Sequence, residues 1–573
     1  MQQIAQKSNG YPNTTARAAT WLLVGLPLAF LALFFYLPLF KLLWENLRPG
    51  LSPSPLLTTL ADSYFWHLLR LTVKQAALST LASVLLGLPL GYILANKKLA
   101  LPRLWYALTV VPFVLPAIVV ALGFILFFGY NGYLNRALLA LFGVRLPILY
   151  SLTGIVLAHA FYNAPVIART TAVAWEGLDP ALEQAARALG ASPWTVFRKI
   201  TWPLLWPATT SGALLTFIFS FFSFPLVLAL GGARYATLEV EVYTQVRVLL
   251  DTHTGAAFAL FETIASLGLT FLYLRLEARN RLAHRVGGER RRLPLLRRHP
   301  SSIFVVLYLA VLALLYFGPI GSVLYDSLVG EDGAFSLAAY SFILQPQHAA
   351  QVGASPLGAV LNSLRFALTA MLLAVVLGTA LSLGIARNRS RYTHIWETMA
   401  MAPLAVSSVA FGYAMLRAYR VGALRYLRIG PTGAIIAAHV ILGLPFVLRV
   451  LGPHFKRFDA SLTNAARSLG SGAWQAFMRV ELPLSQAALL AAAAFAFSMS
   501  VAEMSATIML APPGFSTMPL TVYHLVAARE FSAAAAMAVI LMLVMTLTFA
   551  IMEAAGQYLL KLQVGSYKHV PKL

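Results

Sequence analysis

Long windows without a charged residue alternate with short charged segments along the whole chain. A helix that crosses the hydrocarbon core needs about 20 apolar residues, because its backbone groups must form hydrogen bonds within the segment. Twelve such windows predict twelve membrane spans, six on each side of an Arg-rich break, and only the sixth contains a charged residue, Glu262. The windows are Ala18–Phe40, Gln75–Asn96, Leu104–Asn135, Leu146–Ala168, Ile200–Ala233, Gly255–Leu274, Ser302–Tyr325, Phe366–Ala386, Thr398–Leu416, Ile429–Leu448, Leu482–Ala502 and Phe531–Met552.

The composition agrees with this pattern. Of the 573 residues, 59% are hydrophobic and 11% are charged, and the mean hydropathy is +0.74. This composition excludes soluble globular and disordered proteins, which need a larger polar fraction. The absence of cysteine excludes disulfides, thiol nucleophiles and Cys-ligated metal sites. The sequence therefore predicts an all-α polytopic membrane protein.

The distribution of basic residues predicts the orientation. Lys and Arg accumulate in the cytoplasmic loops of membrane proteins, so the Arg-rich stretch Arg275–Arg298 is expected to be cytoplasmic. With twelve spans, both termini are then cytoplasmic too. The net charge of +23 is mainly this topology signal, with some attraction to anionic lipid, and it does not indicate a nucleic-acid partner. The four arginines of Arg417–Arg428 fall on the opposite side, where the rule does not explain them.

The chain contains an internal repeat. A shift of 280 residues aligns Leu182–Pro203 with Leu462–Pro483, with identity at nine of 22 positions, and pairs Tyr243 with Tyr523. Further upstream the shift is 291. Because each half has six spans, the repeats are parallel and are expected to form two similar bundles about a pseudo-two-fold axis along the membrane normal. The predicted organisation is a first repeat at 1–276, a basic cytoplasmic linker at 277–301 and a second repeat at 302–573.

One polar loop of each repeat has strong local signals for helix boundaries. In the first copy Asp179 is placed to cap a helix that begins at Pro180, and Gly190 is placed to end it. A second short helix is expected to stop at Pro203. An amphipathic loop that lies on the membrane is the structural interpretation of a single copy. The presence of an equivalent loop from Asp459 onwards in the second repeat favours a functional role.

At these residues the chain resembles the transmembrane subunits of binding-protein-dependent ABC importers. Their EAA loop reads E-A-A, three residues, G, nine residues, I-x-L-P. The matching residues here are Gln184, Ala185, Ala186, Gly190, Ile200 and Pro203 in the first copy, and Asn464, Ala465, Ala466, Gly470, Val480, Leu482 and Pro483 in the second. An amide replaces the acid in both copies, and Trp202 replaces the leucine in the first. The resemblance extends over nearly the whole chain as two fused copies.

This resemblance implies a type I importer permease with a MetI-like fold in a prokaryotic cytoplasmic (inner) membrane. Two copies of a cytoplasmic ABC ATPase are expected to dock on the two loops, and an extracytoplasmic solute-binding protein is expected on the opposite face. No cofactor is expected in this chain. It has no G-x-x-x-x-G-K-[ST] motif, so ATP and Mg are expected on the partner ATPase, and we do not interpret the chain as an enzyme.

Charged residues within spans mark candidate path residues. Ser223 and Glu503 occupy equivalent positions near the outer ends of the fifth and eleventh spans, and are expected to form part of a gate or to contact solute. The structural alternative is that Glu503 only caps a helix or pairs with an arginine. Glu262 is expected to pair with polar neighbours within its own bundle. His159 and His439, also equivalent, are expected to be hydrogen-bonded packing residues rather than metal ligands.

Three segments are similar to the two-in-one permeases of ferric-iron and thiamine importers: Asp62–Arg70, Leu157–Pro165 and Leu228–Gln245. The resemblance leaves iron(III) and thiamine open as solutes, followed by polyamines and other small solutes. The main alternative function is a twelve-span secondary transporter coupled to an ion gradient. Such a carrier usually has ionisable groups at the membrane midplane, and it gives no reason for a duplicated polar loop.

Overall fold

The computed structural model describes residues 14–47, 55–98, 105, 109, 115–280, 293–294, 301–330, 333–345, 353–388, 392–420 and 423–567. Helices dominate these ranges, which confirms the all-α prediction. The first half contains α1 (Thr14–Leu31), a π turn (Ala32–Tyr36), α2 (Leu37–Leu47), α3 (Pro55–Ala61), α4 (Ser63–Asn96), β1 (Lys97–Lys98), α5 (Ala117–Phe128), α6 (Tyr133–Phe142), α7 (Leu152–Glu176), α8 (Pro180–Ala188), α9 (Pro193–Val196), a π turn (Phe197–Thr201), α10 (Trp202–Phe221), α11 (Phe224–Leu230), a 3-10 turn (Ala233–Tyr235), α12 (Leu238–Tyr243), a π turn (Thr244–Val248) and α13 (Thr252–Asn280).

The second half has a similar order of elements after a two-residue strand, β2 (Leu293–Pro294), which pairs in parallel with β1. It contains α14 (Ser301–Asp326), α15 (Ala338–Leu344), α16 (Pro356–Arg387), α17 (Thr393–Met401), a 3-10 turn (Ala402–Ala405), α18 (Ser408–Arg420), a 3-10 turn (Ala423–Leu427), α19 (Gly430–Arg457), α20 (Ala460–Ser468), α21 (Ala473–Ala476), a π turn (Phe477–Glu481), α22 (Leu482–Leu484), α23 (Gln486–Ala502), α24 (Ser505–Leu510), α25 (Met518–Ala527) and α26 (Phe531–Tyr567).

Nine helices of the described residues are long and apolar enough to cross a membrane, or up to eleven if each of two bent pairs is one span. The bent pairs are 393–405 with α18, at 102°, and 473–484 with α23, at 73°. The span predicted at 146–168 corresponds to α7, whose 25 residues include His159, Asn163 and Arg169. These polar residues lower its hydropathy, so composition and length recognise at most eleven of the twelve predicted spans.

The duplication is visible in helix packing. A Cβ atom at Gly87 of α4 would lie 2.6 Å from the carbonyl oxygen of Ala164 on α7. In the second half, a Cβ atom at Gly378 of α16 would lie 2.4 Å from the side chain of Val447 on α19. Both glycines allow the same pair of helices to approach closely. The two glycines are 291 positions apart, and their partner helices α7 and α19 are related by the shift of 280. The same helix–helix contact is therefore present in both repeats.

The first helix of each half packs against the other half. A Cβ atom at Gly384 of α16 would lie only 2.5 Å from Cγ2 of Val24 on α1, so the two helices pack closely. The hydroxyl of Tyr36 donates to the carbonyl oxygen of Met399 at 2.8 Å. In the reciprocal direction, α14 packs against α5, and Tyr316 contacts Phe161 with ring centroids 4.9 Å apart. Neither half is therefore a self-contained bundle.

The basic segment near Arg417 has a partner at the end of α2. Arg417 Nη2 lies 3.1 Å from Glu45 Oε2, and Lys41 Nζ lies 3.5 Å from Glu45 Oε1. The two residues Glu45 and Arg417 are 372 positions apart, so sequence spacing gave no signal for the pair. This interhalf ion pair accounts for one of the four arginines that the positive-inside rule did not explain.

Candidate coupling helices and translocation path

The first polar loop, residues 179–203, contains an exposed capped helix. Asp179 Oδ1 accepts a hydrogen bond from the backbone N–H of Ala181 at 2.9 Å, and Pro180 is the first residue of α8. A proline is favourable there because the first turn needs no N–H donor. Gly190 follows the helix with φ +84°, in the left-handed region that favours glycine. These observations confirm the predicted boundaries of the helix.

The second polar loop, residues 459–483, has the same construction. Asp459 Oδ1 accepts from the backbone N–H of Ser461 at 2.9 Å at the start of α20. The hydrogen bonds from Ser461 lower the pKa of the Asp459 carboxyl, so the cap is charged at neutral pH. Gly470 has φ +90°. The two loops are therefore equivalent in backbone geometry as well as in sequence.

Both polar loops expose the same apolar side chains. Leu189 and Leu469 are each 89% exposed, while Trp194 and Trp474 are 66% and 67% exposed. No residue of α8 or α20 is buried. Large apolar side chains at matched positions on two exposed helices are typical of a protein-interaction surface.

The EAA-like residues follow this exposed surface into the membrane helices. Three residues of each copy are exposed at matched positions: Gln184, Ala185 and Gly190 in the first, and Asn464, Ala465 and Gly470 in the second. Half-buried residues include Ala186 and Ile200 in the first copy, and Ala466, Val480 and Pro483 in the second. Pro203 is exposed in the first turn of α10.

The prediction that Pro203 stops the second short helix is wrong. α9 continues through a π turn into α10, and 193–221 forms one candidate span. Proline has no N–H and is tolerated in a first helical turn, and the wider π turn joins the two segments. The polar loop is therefore directly continuous with a membrane helix.

A hydroxyl and a carboxylate hold each exposed helix to the π turn that follows it. In the first loop Thr201 Oγ1 donates to Glu183 Oε1 at 3.0 Å. In the second loop Thr463 Oγ1 donates to Glu481 Oε1 at 3.0 Å. Positions 183 and 463, and positions 201 and 481, are equivalent in the repeat, so the two residue types have exchanged places. The repeat alignment contained this signal, but only the fold shows that the positions touch.

Glu481 also connects the second loop to another membrane helix. Its Oε2 forms an ion pair with Arg387 in the last turn of α16. The equivalent position of the first half, with the shift of 291, is Asn96, whose side chain donates to the carbonyl oxygen of Tyr92. An ion pair thus attaches the second polar loop to α16. In the first half the position of the arginine holds the neutral Asn96.

A tyrosine pair, Tyr243 and Tyr523, joins the two halves. Their hydroxyl groups lie close enough to interact electrostatically. Because the two residues are equivalent in the repeat, their contact places the pseudo-two-fold axis between them. Arg247 adds a second contact between the halves, donating from Nη2 to the carbonyl oxygen of Ala511 at 2.7 Å. Sequence reasoning aligned the tyrosines but did not predict their contact.

The helices that carry the tyrosine pair are anchored alike. Thr72 Oγ1 accepts from the backbone N–H of Leu238 at 3.1 Å, at the start of α12. Ser363 Oγ accepts from the backbone N–H of Met518 at 2.8 Å, at the start of α25. Positions 72 and 363 differ by the 291-residue shift, so each half positions its tyrosine-bearing helix through the same interhelical bond.

Ser223 and Glu503 occupy equivalent breaks after α10 and α23. Both are half-buried, and Glu503 Oε1 accepts from the backbone N–H of Ala506 at 2.7 Å, at the start of α24. The helix-capping alternative for Glu503 is therefore observed. A role of Ser223 and Glu503 in a gate or in solute contact stays a prediction.

The expectation for Glu262 is corrected in part. Its carboxylate lies beside Glu239 of its own half, but also beside Ser407 of the other half. Ser407 Oγ donates to Glu239 Oε1 at 2.6 Å. The reason is that α13 packs against the broken segment before α18, where Ser266 also donates to Ala405. Glu262 therefore belongs to the interface between the halves.

His159 and His439 form hydrogen bonds within the packed helices. His159 Nδ1 lies 2.6 Å from Gln75 Nε2. His439 lies 2.7 Å from Ser500 Oγ and 2.9 Å from Thr507 Oγ1. These contacts confirm the predicted packing role.

Comparison with known proteins agrees with this geometry. The profile of the family "Binding-protein-dependent transport system inner membrane component" matches residues 87–282. The thiamine transport system permease protein ThiP of Escherichia coli (strain K12) is 29% identical over 93% of this chain and 96% of its own length. The Haemophilus influenzae ThiP is 27% identical over 85% of this chain and 88% of its own length.

A shorter relative shows the fusion. The sulfate transport system permease protein CysW of Synechocystis is 28% identical over 46% of this chain but 94% of its own length. A whole single-copy permease thus corresponds to about half of this chain. The chain is thus similar along nearly its whole length to inner-membrane permeases of binding-protein-dependent transport systems. It is a multi-pass membrane protein with two fused copies of the permease unit, and the relatives named above are transport permeases rather than enzymes.

Proposed function

We propose that this permease imports thiamine in an ATP-driven complex. Separate ABC ATPases, one on each polar loop, supply the energy and hold ATP and Mg, and a solute-binding protein delivers the solute at the opposite end. The complex lies in the prokaryotic inner membrane, with both termini on the cytoplasmic side.

The observation that carries the coupling part of this proposal is the matched exposure of Leu189 and Leu469. Two protrusions with the same apolar tip and the same capped helix suit two copies of one partner. Each helix is continuous with, or bonded to, membrane helices of its half, so a movement imposed on it is passed to the bundle without bending. A hinge movement of this kind separates the halves at the tyrosine pair.

Thiamine is favoured as the solute by similarity along almost the full chain to thiamine permeases. The relatives described above include no iron permease. Among the described residues there is also no group of three or more His, Asp or Glu side chains that could hold a metal ion. We therefore favour thiamine over iron(III).

Reconstitution tests both parts. The permease is co-expressed with the ABC ATPase and the binding protein from the same genome, purified as a complex and placed in liposomes with radiolabelled thiamine. We expect uptake that requires ATP, binding protein and ATPase together. Uptake driven by an ion gradient without the ATPase would indicate the secondary transporter instead, and ATP-dependent uptake of another solute would overturn the choice of thiamine.

A further inference from the structure

Three glutamates lie between the two halves, away from the polar loops, without forming a group that could hold a metal ion. This carboxylate cluster consists of Glu239 on α12, Glu262 on α13 and Glu503 at the break between α23 and α24. Glu239 is 2% exposed and Glu262 is fully buried. Glu239 lies against Glu262, and the charge of Glu503 acts on Glu239 from the other half. The first two residues come from one half and the third from the other.

The cluster lacks a positive partner in the described part of the chain. Among the described residues, none of the three glutamates forms an ion pair with a lysine or arginine. Ser407 has one hydroxyl proton, which it donates to Glu239 Oε1, so it cannot also satisfy Glu262. Within the described residues no N–H or hydroxyl group donates to either carboxylate oxygen of Glu262 or to Oε2 of Glu239, so these two carboxyls can satisfy each other only by sharing a proton. Such groups are costly inside a membrane protein and usually mark a functional site.

A neighbouring glutamate shows the contrast. Glu241, on the same helix as Glu239, is also buried. Its two oxygens accept hydrogen bonds from Tyr64 at 3.0 Å and from Gln245 at 2.6 Å. The fold therefore supplies donors for Glu241 and leaves Glu239 and Glu262 short of them. Burial alone does not explain the vacant acceptors.

The cluster lies beside the pseudo-two-fold axis. Glu239 and Tyr243 are four residues apart on α12, so they share one face with their Cβ atoms about 6 Å apart. Tyr243 belongs to the tyrosine pair on the axis. Carboxylates next to tyrosine rings are the combination that binds organic cations, since the acids supply charge and the rings supply cation–π contact. A weakly hydrated organic cation also loses less hydration on entry than a metal ion does.

We propose that Glu239, Glu262 and Glu503 form a binding site for an organic cation in transit between the two halves. This inference rests on the proposed function and extends it, because the thiazolium ring of thiamine carries a permanent positive charge. The cation neutralises the vacant acceptors of Glu239 and Glu262 when the tyrosine pair separates. The site selects solutes by charge after the binding protein has released them.

The test uses Glu262→Gln and Glu239→Gln in the reconstituted complex, with Glu553→Gln as the matched control at an exposed glutamate on α26. We expect each of the first two variants to reduce thiamine uptake at least about tenfold, with ATPase recovery unchanged, and the control to match the unsubstituted permease. Glu262→Asp keeps the charge and is expected to recover part of the uptake. This rescue separates loss of charge from loss of packing, including when Glu262→Gln assembles poorly.

The outcomes distinguish the two proposals. Thiamine uptake that is equal in Glu262→Gln, Glu239→Gln and the control overturns the cation site and leaves the proposed function in place. If the unsubstituted complex imports choline but not thiamine, the solute is wrong, and a tenfold loss of choline uptake in Glu262→Gln supports the site. If it imports neither thiamine nor choline, both the solute and the cation site are overturned.

Discussion

Thr463 donates its hydroxyl proton to Glu481, 18 residues later, and so ties the second exposed helix to the membrane helix behind it. In the first repeat the carboxylate is on the exposed helix and the hydroxyl is on the π turn, with the same distance of 3.0 Å. The contact is therefore conserved between the repeats while its donor and acceptor are reversed. This reversal leads to a test that depends on geometry rather than on residue type.

Exchanging the pair in the first loop is expected to be tolerated. Glu183→Thr alone loses the hydrogen bond to a charged acceptor, worth about 1.5–3 kcal/mol when buried and less at this partly exposed site. Thr201→Glu alone places two carboxylates together. The double variant restores a hydroxyl–carboxylate contact, so we expect its thermal midpoint and ATPase recovery to return towards those of the unsubstituted permease. A double variant as impaired as the sum of the singles would contradict the swapped contact.

The backbone at the glycine after each exposed helix sets the next prediction. A Cβ atom at Gly190 or Gly470 would meet nothing within 4 Å, so only the positive φ disfavours a side chain there. Gly190→Val is expected to cost about 1–2 kcal/mol locally and to weaken ATPase recovery. Gly190→Asn is the control, because asparagine tolerates this conformation. Equal ATPase recovery in both variants would show that the elbow does not need its glycine.

The exposed leucines are expected to be contact residues for the ATPase. Replacing both with aspartate (Leu189→Asp with Leu469→Asp) places charge in an apolar contact, which typically costs at least about 2 kcal/mol at a central interface residue. We expect copurified ATPase to fall strongly while the permease still inserts. Leu337→Asp, at an exposed leucine outside the polar loops, is the control. Full ATPase recovery from the double variant would place the docking surface elsewhere.

Crosslinking tests the movement at the tyrosine pair. The chain has no cysteine, so Tyr243→Cys with Tyr523→Cys introduces the only two thiols. A bifunctional thiol reagent long enough to replace two tyrosine side chains is expected to join the halves and to stop uptake, while each single variant treated in the same way continues to transport. Full uptake by the crosslinked double variant would show that the halves do not separate at this point.

Local features were predictable from the sequence, whereas contacts between distant segments were not. Asp179, Pro180 and Gly190 act on neighbouring backbone groups, so their spacing was sufficient to predict α8. The pairing of Glu45 with Arg417 depends on how α2 crosses to the other half, which no local pattern encodes. The same is true of Glu262, whose neighbour Ser407 belongs to a helix break in the second repeat.

Errors in the sequence interpretation also have physical causes. Pro203 was expected to end a helix because proline lacks an N–H, but the wider π turn before it lets the helix continue. The span at α7 is long enough to cross a membrane but contains His159 and Asn163 in a protein-packed position, so hydropathy alone underestimates it. In both cases the surrounding residues determine the local structure, and the tertiary fold determines which residues those are.

The packing of the first helix of each half against the other half has a consequence for how the protein is made. Residues 14–47 leave the ribosome first, yet the surfaces that receive them, on α16 and α18, are synthesised more than 300 residues later. During synthesis this segment must wait in lipid or with an insertase, with its interhalf face uncovered. A nascent chain that stalls after the first repeat would therefore not form a stable half, and cellular quality control would recognise it as incomplete.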